Sequence, residues 1–436
     1  MKKKQVYVCN SCGYESPAWF GKCPMCGEWN TAVRISVEPT TSVETKNFEG
    51  PRTLTDIQTS EHIRFSSGMK EIDRVLGGGI VPGSVVLISG EPGIGKSTLM
   101  LQTAARVTDN KPVLYISGEE SESQLKLRAE RLEITGEHIK VMTTGDLSFL
   151  TTLDIQEFSL IIFDSLQTLK LPGVSSLPGS VVQVRECANY IVSLAKGNGI
   201  PVFIVGHVTK GGQIAGPKLV EHLVDTVLYF EASKTGYRFL RTTKNRFGPS
   251  DEIAVLEMSS KGLEEISDLS TIFVEDYIPA PGNVITAVVE GSKTFLVEIQ
   301  SLVSKPLYGT PRKLSNGVSF DRVLLIAAVL TRRAGIPLDS LDIYVNVAGG
   351  LQLSDPGVDL AIAASIVSAF FDKPLPEGFA AFGEIGLDGS IRSAMFSDRR
   401  IDRLKNSGFS TIHSPEGEIT VRDIGEFLKR LRGSDT

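Results

Sequence analysis

Short apolar runs alternate with amphipathic stretches between residues 85 and 206. Because buried parallel strands appear as brief β-branched runs and helices as repeats of about 3.6 residues, this alternation predicts an α/β domain with a mainly parallel sheet. The predicted strands cover residues 85–88, 113–117, 139–142, 159–164 and 201–206, and the predicted helices cover 98–105, 121–132 and 182–196. Two closer runs, 224–230 and 237–243, predict hairpin strands at the edge of that sheet.

A second α/β pattern fills the last third of the chain. Residues 284–300 form a strand, a Glu-Gly-Ser turn and a strand, and residues 320–334 have strong helical periodicity. A strand is predicted at 341–346, an alanine-rich buried helix at 356–371, and a strand with a hairpin at 381–391. We therefore divide the chain into a first α/β domain at 51–268 and a second domain at 269–436.

Four of the five cysteines lie in the first 26 residues, as two C-x-x-C pairs, each followed by glycine. Four thiolates at this spacing are typical of structural Zn²⁺, which predicts a zinc finger over residues 1–32 with the ligands Cys9, Cys12, Cys23 and Cys26. The alternatives are a redox dithiol or a [4Fe–4S] site. Nearby Trp19, Phe20 and Trp29 are expected to pack around the metal, or to be exposed for a base or a partner.

Residues 33–50 are rich in Thr, Ser, Glu and Pro and poor in large apolar side chains, so we predict a flexible tether that leaves the finger a mobile appendage. The 436-residue chain has 41% hydrophobic residues, a net charge of −6, no apolar run of about 18 residues and no signal core. These features favour a globular cytoplasmic protein with no membrane span. The negative charge argues only weakly against nucleic-acid binding, because a ring or cleft can be locally basic.

The string from Gly90 to Ser97 fits the phosphate-loop pattern G-x-x-x-x-G-K-[ST], between a predicted strand and a predicted helix. Its glycines turn backbone N–H groups toward phosphates, Lys96 supplies a cation, and the Ser97 hydroxyl is a Mg²⁺ ligand. The predicted site for ATP and Mg²⁺ consists of Gly90, Glu91, Pro92, Gly93, Ile94, Gly95, Lys96, Ser97 and Thr98.

Acidic residues follow two of the predicted strands, where ligands of such sheets gather. Asp164 fits an acid that holds Mg²⁺ through water, and Glu119 or Glu120 fits a base for the attacking water. Glu119 is favoured narrowly; the alternative is that both glutamates cap the helix starting near Ser121. His207, after another strand, is a candidate sensor of the γ-phosphate.

Two long loops rich in Gly and Pro, 170–179 and 210–218, carry lysines at the same rim and are candidate DNA-contacting loops, unless they are ordinary connections. The string Lys244-Asn-Arg-Phe-Gly248 follows the last predicted strand. Together with the cysteine pairs and the phosphate loop, it resembles the bacterial RadA (Sms) family of DNA repair ATPases of the RecA superfamily.

The resemblance covers nearly the whole chain except the tether, and it implies several functional expectations. It implies a homo-oligomer, a hexameric ring similar to DnaB-type helicases, that acts on single-stranded and branched DNA with a RecA-type recombinase and drives branch migration. It also implies that Lys244 or Arg246 is presented in trans to a neighbour's γ-phosphate, where a cation stabilises transition-state charge. The lead-in over residues 65–80 resembles that of RecA-superfamily ATPases, where it packs beside the nucleotide.

The last domain resembles the proteolytic domain of Lon proteases, which needs a Ser nucleophile and a Lys base. The nucleophile region contains no serine between Asp355 and Leu360, and the lysine position falls near Asp398. We therefore expect an inactive scaffold for assembly and DNA contact, with Lys305, Arg312, Lys313 and Arg322 as weak basic candidates. The rival functions are an ATP-dependent Lon-like protease and a KaiC-like signalling ATPase.

Overall fold

The computed structural model describes residues 4–9, 14–37, 53, 64–107, 109, 111–174, 176–207, 220–232, 236–266, 274, 277–306, 309–417 and 419–433. The chain forms two compact units. The first contains Met1–Ala232 and Tyr237–Ile266, and the second contains Ser233–Gly236 and Ser267–Thr436. Within the described ranges, no helix is both long and apolar enough to cross a membrane.

The N-terminal residues form a small antiparallel sheet in the order β2 (Glu15–Ser16), β1 (Lys4–Cys9), β3 (Ala32–Val37). Strand β3 pairs with β1 from Cys9↔Ala32 to Lys4↔Val37. The tether prediction is therefore wrong for residues 33–37, where alternation of apolar and polar side chains favours a strand over the composition-based interpretation. The rest of the predicted tether lies outside the described residues.

The cysteine-rich segment is attached to the ATPase core by an apolar contact. Val8 on β1 is buried and packs against Val182, with Val6 and Val174 beside them. The prediction of a mobile appendage is therefore wrong for β1, because valines spaced two apart share one face of the strand and that face is covered.

A sheet of nine described strands forms the centre of the first unit and confirms the predicted α/β class. The six strands from β9 to β6 in this order are parallel. In spatial order the strands are β12 (Gly262–Ile266), β11 (Ile253–Ser259), β10 (Tyr237–Asn245), β9 (Thr226–Ala232), β4 (Val85–Gly90), β8 (Val202–His207), β7 (Leu160–Asp164), β5 (Val113–Ser117) and β6 (Ile139–Thr143).

The predicted hairpin strands β9 and β10 pair antiparallel, but they do not form the sheet edge. Strand β9 runs parallel to β4 in the sheet interior, and β11 and β12, which were not predicted, extend the sheet beyond β10. The prediction that β9 and β10 lie at the sheet edge is wrong because it used only the short connection between them. Their other neighbours in the sheet, β4 and β11, could not be inferred from that connection.

Helices cover both faces of this sheet, where two apolar clusters lie. They are α1 (Lys70–Val75), α2 (Lys96–Arg106), α3 (Glu122–Arg131) and α4 (Val181–Asn198). The lead-in packs against α2. A Cβ added at Gly68 would lie 2.2 Å from the Arg106 carbonyl oxygen, so Gly68 meets α2 at the end away from the phosphate loop.

The second unit contains a seven-stranded mixed sheet and a short hairpin. The sheet order is β15 (Lys313–Asn316), β16 (Asp342–Val347), β14 (Lys293–Ser304), β13 (Asn283–Glu290), β17 (Phe379–Ala381), β20 (Thr411–Ser414) and β21 (Ile419–Thr420). The hairpin is β18 (Glu384–Ile385) with β19 (Ile391–Arg392). The helices are α5 (Phe320–Ala334), α6 (Asp359–Phe371), α7 (Ser397–Asn406) and α8 (Ile424–Gly433).

The alanine-rich helix α6 is the centre of this unit's core. Its first ten residues are all buried, and it packs across β13 and β14, where small side chains allow close approach. Pro356 begins the 3₁₀ turn that leads into it, at a position where a missing N–H is tolerated. The strands and helices predicted for this part of the chain are present close to their predicted bounds.

A buried histidine makes the stability of this unit pH-dependent. His413 on β20 packs between the rings of Phe379, at 4.9 Å, and Phe427, at 5.7 Å, and burial lowers its pKa from 6.5 to about 4, with Arg430 contributing. Between these values the unfolded chain binds more protons than the folded chain, so stability falls as the pH falls from 6.5 to 4, by up to about 3 kcal/mol. We expect His413→Phe to remove this dependence, measured by urea unfolding with circular dichroism at pH 7 and pH 5.

The matched control is His222→Phe at an exposed position, which should leave the pH dependence at its original size. Hydrogen exchange of peptides covering β20 assigns the change to this unit. Equal pH dependence in wild type and His413→Phe would contradict the role given to this side chain.

Candidate active site

The phosphate-loop residues form a tight turn between β4 and α2. A Cβ on Gly90 would lie 2.5 Å from the Phe230 carbonyl oxygen, and Gly95 has φ 117°, so glycine is required at both positions. The Glu91–Pro92–Gly93 segment between them is exposed at the rim of the sheet. The loop therefore has the open backbone that phosphate binding requires.

Lys96 lies inside this turn and is 3% exposed. Its Nζ donates to the carbonyl oxygens of Gly90 and Glu91, each at 2.8 Å. Burial lowers the pKa of Lys96 to about 8, an effect that Asp164 and Glu119 partly oppose. The ammonium is thus held at the loop, within electrostatic reach of two carboxylates.

Asp164 ends β7 beside the start of α2. Its Oδ2 accepts a 2.6 Å hydrogen bond from the Tyr115 hydroxyl, and Ser97 also donates to this carboxylate. Burial raises the pKa of Asp164, and these two donors oppose the rise. Its Oδ1 is buried with no hydrogen-bond partner among the described residues, so Ser97 and Asp164 are a donor set that fits Mg²⁺.

Glu119 and Glu120 are adjacent in sequence but have different partners. Glu119 Oε1 accepts from Ser165 Oγ at 2.5 Å and lies 3.1 Å from His207 Nε2. Glu120 instead forms an ion pair with Arg128, which also donates to Thr98 Oγ1 at 3.3 Å. The structure therefore places Glu119 with Asp164 and Lys96, and Glu120 against α3.

The alternative that both glutamates only cap α3 is wrong. Ser121 is the N-cap of this helix, and its side chain and that of Gln124 form a reciprocal capping box. Sequence reasoning missed Tyr115 and Arg128, which reach the acids from a neighbouring strand and from α3. It also missed Arg238 on β10, whose Nε donates to the Ile94 carbonyl of the phosphate loop at 3.2 Å.

Lys244 and Arg246 do not join this cluster within one chain. Strand register pairs Asn245 with Thr226 and Thr226 with Val86, so the string lies beside the first residues of β4, roughly 13 Å from Gly90 along that strand. Lys244 Nζ donates to the carbonyl oxygens of Glu221 and Val224, each at 2.7 Å. Half-exposed Arg246 lies 3.3 Å from Asp225.

A buried glutamine, Gln183, anchors the base of the first candidate DNA loop, residues 170–179. Ser175 of this loop lies outside the described residues. Gln183 Nε2 donates to the carbonyl oxygens of Val174, at 3.2 Å, and Ser176, at 3.1 Å, and its Oε1 accepts from Leu171 N. The second candidate loop, 210–218, lies outside the described residues.

Three of the predicted metal ligands come together. The sulfur atoms of Cys9, Cys23 and Cys26 lie within 4.8 Å of one another, and Cys9 Sγ is 3.7 Å from Cys26 Sγ. Tetrahedral zinc with Zn–S bonds of about 2.3 Å places sulfurs about 3.8 Å apart, so these thiols fit zinc. Cys12 lies outside the described residues.

The segment that resembles the Lon nucleophile region is tightly packed around Gly357. A Cβ on Gly357 would lie 2.9 Å from Ala394 Cβ and 3.0 Å from Arg400 Nη1. Arg400, 1% exposed, pairs with Asp355 at 2.6 Å, whereas Asp398 is exposed. Of the four basic candidates, Arg322 pairs with Asp359, and Lys313 Nζ donates to the Leu338 and Leu341 carbonyls, while Lys305 and Arg312 are exposed.

Two family profiles match segments of the chain, and several known proteins match nearly its whole length. A profile described as a rubredoxin metal-binding domain matches residues 7–33, and a KaiC ATPase profile matches residues 65–157. A protein named DNA repair protein RadA from Bacillus subtilis is 45% identical over 430 residues, covering 96% of this chain and 94% of that protein. One of the same name from Aquifex aeolicus is 46% identical, covering 96% and 95%.

A solved structure of the RadB recombinase matches 46% of this chain and 99% of its own, at 24% identity and a TM-score of 0.36. The family relationship rests on the Bacillus subtilis and Aquifex aeolicus relatives, because their similarity extends over both compact units.

The hydrogen bond from Tyr115 to Asp164 generates a prediction about Mg²⁺. In Tyr115→Phe the buried carboxylate loses a donor, so its pKa rises further and its charge becomes less available to a cation. We expect half-maximal ATP turnover to require roughly tenfold more Mg²⁺, measured by Mg²⁺ titration at fixed ATP. Tyr190→Phe on α4 is the control and should leave the titration unchanged; an unchanged titration in Tyr115→Phe would contradict the assignment.

Proposed function

The chain belongs to the RadA family of DNA repair proteins, and we propose that it is an ATP-driven DNA translocase that extends recombination intermediates by branch migration. The observation that carries the proposal is the convergence of Lys96, Asp164 and Glu119 at the carboxyl ends of β4, β7 and β5. That arrangement is the one required to hydrolyse a nucleotide bound at the phosphate loop.

Each of these residues has a distinct task in the proposed hydrolysis. Lys96 would exchange its carbonyl contacts for the phosphates, and Ser97 and Asp164 would hold Mg²⁺, which would supply positive charge to the phosphate oxygens. Glu119 accepts a proton from the attacking water. Ser165 and His207 contact its carboxylate and orient it. Glu120 keeps Arg128 in place, so we assign the base to Glu119.

The Lys244–Gly248 string supports a composite site between subunits. The string lies roughly 13 Å along β4 from its own phosphate loop, which favours contact of Arg246 with a neighbouring subunit's nucleotide over contact with its own. In a closed ring it would instead be presented to a neighbouring subunit, where its cation stabilises charge on the γ-phosphate. We therefore propose a homo-oligomer, a hexameric ring, with Arg246 the better candidate because Lys244 is committed to backbone carbonyls.

DNA contact is assigned to the loop over residues 170–179, with 210–218 as a second candidate. The first loop directly follows the Leu166–Thr168 turn that Ser165 begins, so DNA at the loop and nucleotide at Glu119 share one segment. The second unit serves as an assembly and DNA-contact scaffold with no peptidase activity, because no serine lies between Asp355 and Leu360 and the lysine position falls near Asp398. The partner is a recombinase of the RecA type, in the cytoplasm.

The two rival functions have weaker support. A Lon-like protease requires a serine and a lysine, and this chain has no serine between Asp355 and Leu360 and no lysine at the matching position near Asp398. A KaiC-like signalling ATPase fits the profile at residues 65–157, but it gives no role to the metal site or to the string at 244–248.

The function is tested with a labelled three-strand DNA intermediate. We expect ATP-dependent extension of the heteroduplex by the wild type and none by Lys96→Ala. Glu119→Gln should bind ATP and DNA yet hydrolyse ATP about 100-fold more slowly, since proton transfer is lost. Glu120→Gln is the matched control and should retain most activity; no extension by the wild type, or hydrolysis of an unfolded protein substrate, would contradict the proposal.

The composite site is tested by mixing subunits. Arg246→Ala should bind ATP normally and hydrolyse it on the order of a thousandfold more slowly, as for loss of a trans arginine. Mixing it with Lys96→Ala should restore turnover, because some interfaces then combine an intact loop with an intact Arg246. Lys196→Ala, which removes another cation from Asp225, should need no rescue. No rescue in rings shown to be mixed would argue for a role within one subunit.

A further inference from the structure

The cysteine-rich segment, residues 4–37, has two exposed indole rings side by side. Trp19 is 62% exposed and Trp29 is 69% exposed, which makes the prediction that both pack around the metal wrong. Phe20 does pack inward, with its ring 5.7 Å from that of Tyr14. Exposed tryptophans in a pair are unusual for a domain this small, because each leaves a large apolar surface in water.

Gly21 brings the two rings together. A Cβ at this position would lie 3.4 Å from Trp19 Cη2 and 3.9 Å from Trp29 Cζ3, so those ring atoms are at most about 7 Å apart. Lys22 Nζ lies 5.7 Å from the centre of the Trp29 ring. Two aromatic rings and an ammonium thus form one exposed surface, which we call the tryptophan platform.

The charge of this segment favours a polyanion. Residues 1–37 contain five lysines and arginines and two glutamates, whereas the whole chain has a net charge of −6. A tetrathiolate zinc centre adds two negative charges, which leaves residues 1–37 at a net charge of +1, with Lys2 and Lys3 preceding the described segment. This slight positive charge on an otherwise acidic protein favours phosphate groups as the ligand over an apolar protein surface.

The position of the platform points to the same ligand. The segment is docked through Val8 on Val182, where α4 begins, and beside Val174 in the loop assigned to DNA. Val8 immediately precedes the metal ligand Cys9, so the fold of the metal site and the docking contact share one strand. A strand of DNA leaving that loop would reach this segment within the same compact unit.

We propose that the tryptophan platform stacks unpaired bases of single-stranded DNA, adjacent to the loop over residues 170–179. Base–aromatic stacking is tolerant of sequence, which suits a translocase that must move over any DNA. The inference rests on the proposed DNA-dependent function, and it adds a contact that neither the phosphate loop nor the second unit provides.

The chain offers a direct probe, because its only two tryptophans are Trp19 and Trp29. Emission excited near 295 nm therefore reports on this surface alone in the full-length protein. We expect saturable quenching by a dT20 oligonucleotide and little change with an abasic 20-mer of equal phosphate number. Equal effects of the two polymers, or no effect of dT20, would overturn the inference.

Substitutions separate stacking from loss of fold. Trp19→Ala and Trp29→Ala should each weaken dT20 binding about tenfold, and Trp19→Phe should restore most of it, because a phenyl ring still stacks. Met25→Ala, at an exposed position in the same segment, is the control and should bind as the wild type does. All variants should retain one zinc per chain and wild-type ATP turnover without DNA.

These measurements keep the two proposals distinct. Unchanged dT20 affinity in both alanine variants, with DNA-stimulated ATP turnover intact, would overturn the platform and leave the translocase in place. A wild type with no DNA-stimulated turnover would overturn the translocase itself. Emission that responds to a RecA-type recombinase and not to dT20 would show a protein-docking surface and overturn the assignment to DNA.

Discussion

The nucleotide site depends on the burial of opposite charges at one edge of a parallel sheet. Burial by itself lowers the pKa of Lys96 and raises that of Asp164, so each group alone would tend toward its neutral form. Asp164 and Glu119 oppose the shift of Lys96, and the hydroxyl groups of Tyr115 and Ser97, which donate to the Asp164 carboxylate, oppose the shift of Asp164. The strand order β4-β8-β7-β5 makes this possible, because it brings the ends of distant segments together.

What could be predicted from the sequence was local. The phosphate loop and the C-x-x-C pairs are short strings whose chemistry is fixed by spacing, and strands such as 113–117 have apolar runs that only a buried strand explains. The choice between Glu119 and Glu120 was not local, since it depends on Arg128 of α3 and on His207 of β8. Glu119 and Glu120 are neighbours in the sequence, and nothing in the sequence around them indicated that Glu119 would meet His207 and Glu120 would meet Arg128.

In the second unit, too, the sequence predicted which residues are present but not how they pack. The missing serine and lysine could be read from the sequence, but the packing around Asp355 could not. Arg400 lies 5.9 Å from the Phe382 ring and holds Asp355 in an ion pair that is almost wholly buried on the arginine side. Removing one partner of such a pair would leave an uncompensated buried charge, so this pair has a structural role in the second unit.

The Lys244–Gly248 string combines anchoring and presenting residues. Gly248 and Gly77 meet so closely that a Cβ on Gly248 would lie 2.9 Å from the Gly77 Cα, and Arg64 donates to the Phe247 carbonyl. Lys244 is likewise fixed, through backbone carbonyls, to the segment before β9. Arg246 is the member of the string whose side chain is half exposed while its backbone N–H is bound to the Asp225 carbonyl. In the proposed composite site, a cation held this way would lose little backbone freedom on meeting a neighbouring subunit's phosphate, because its backbone is already ordered by the residues around it.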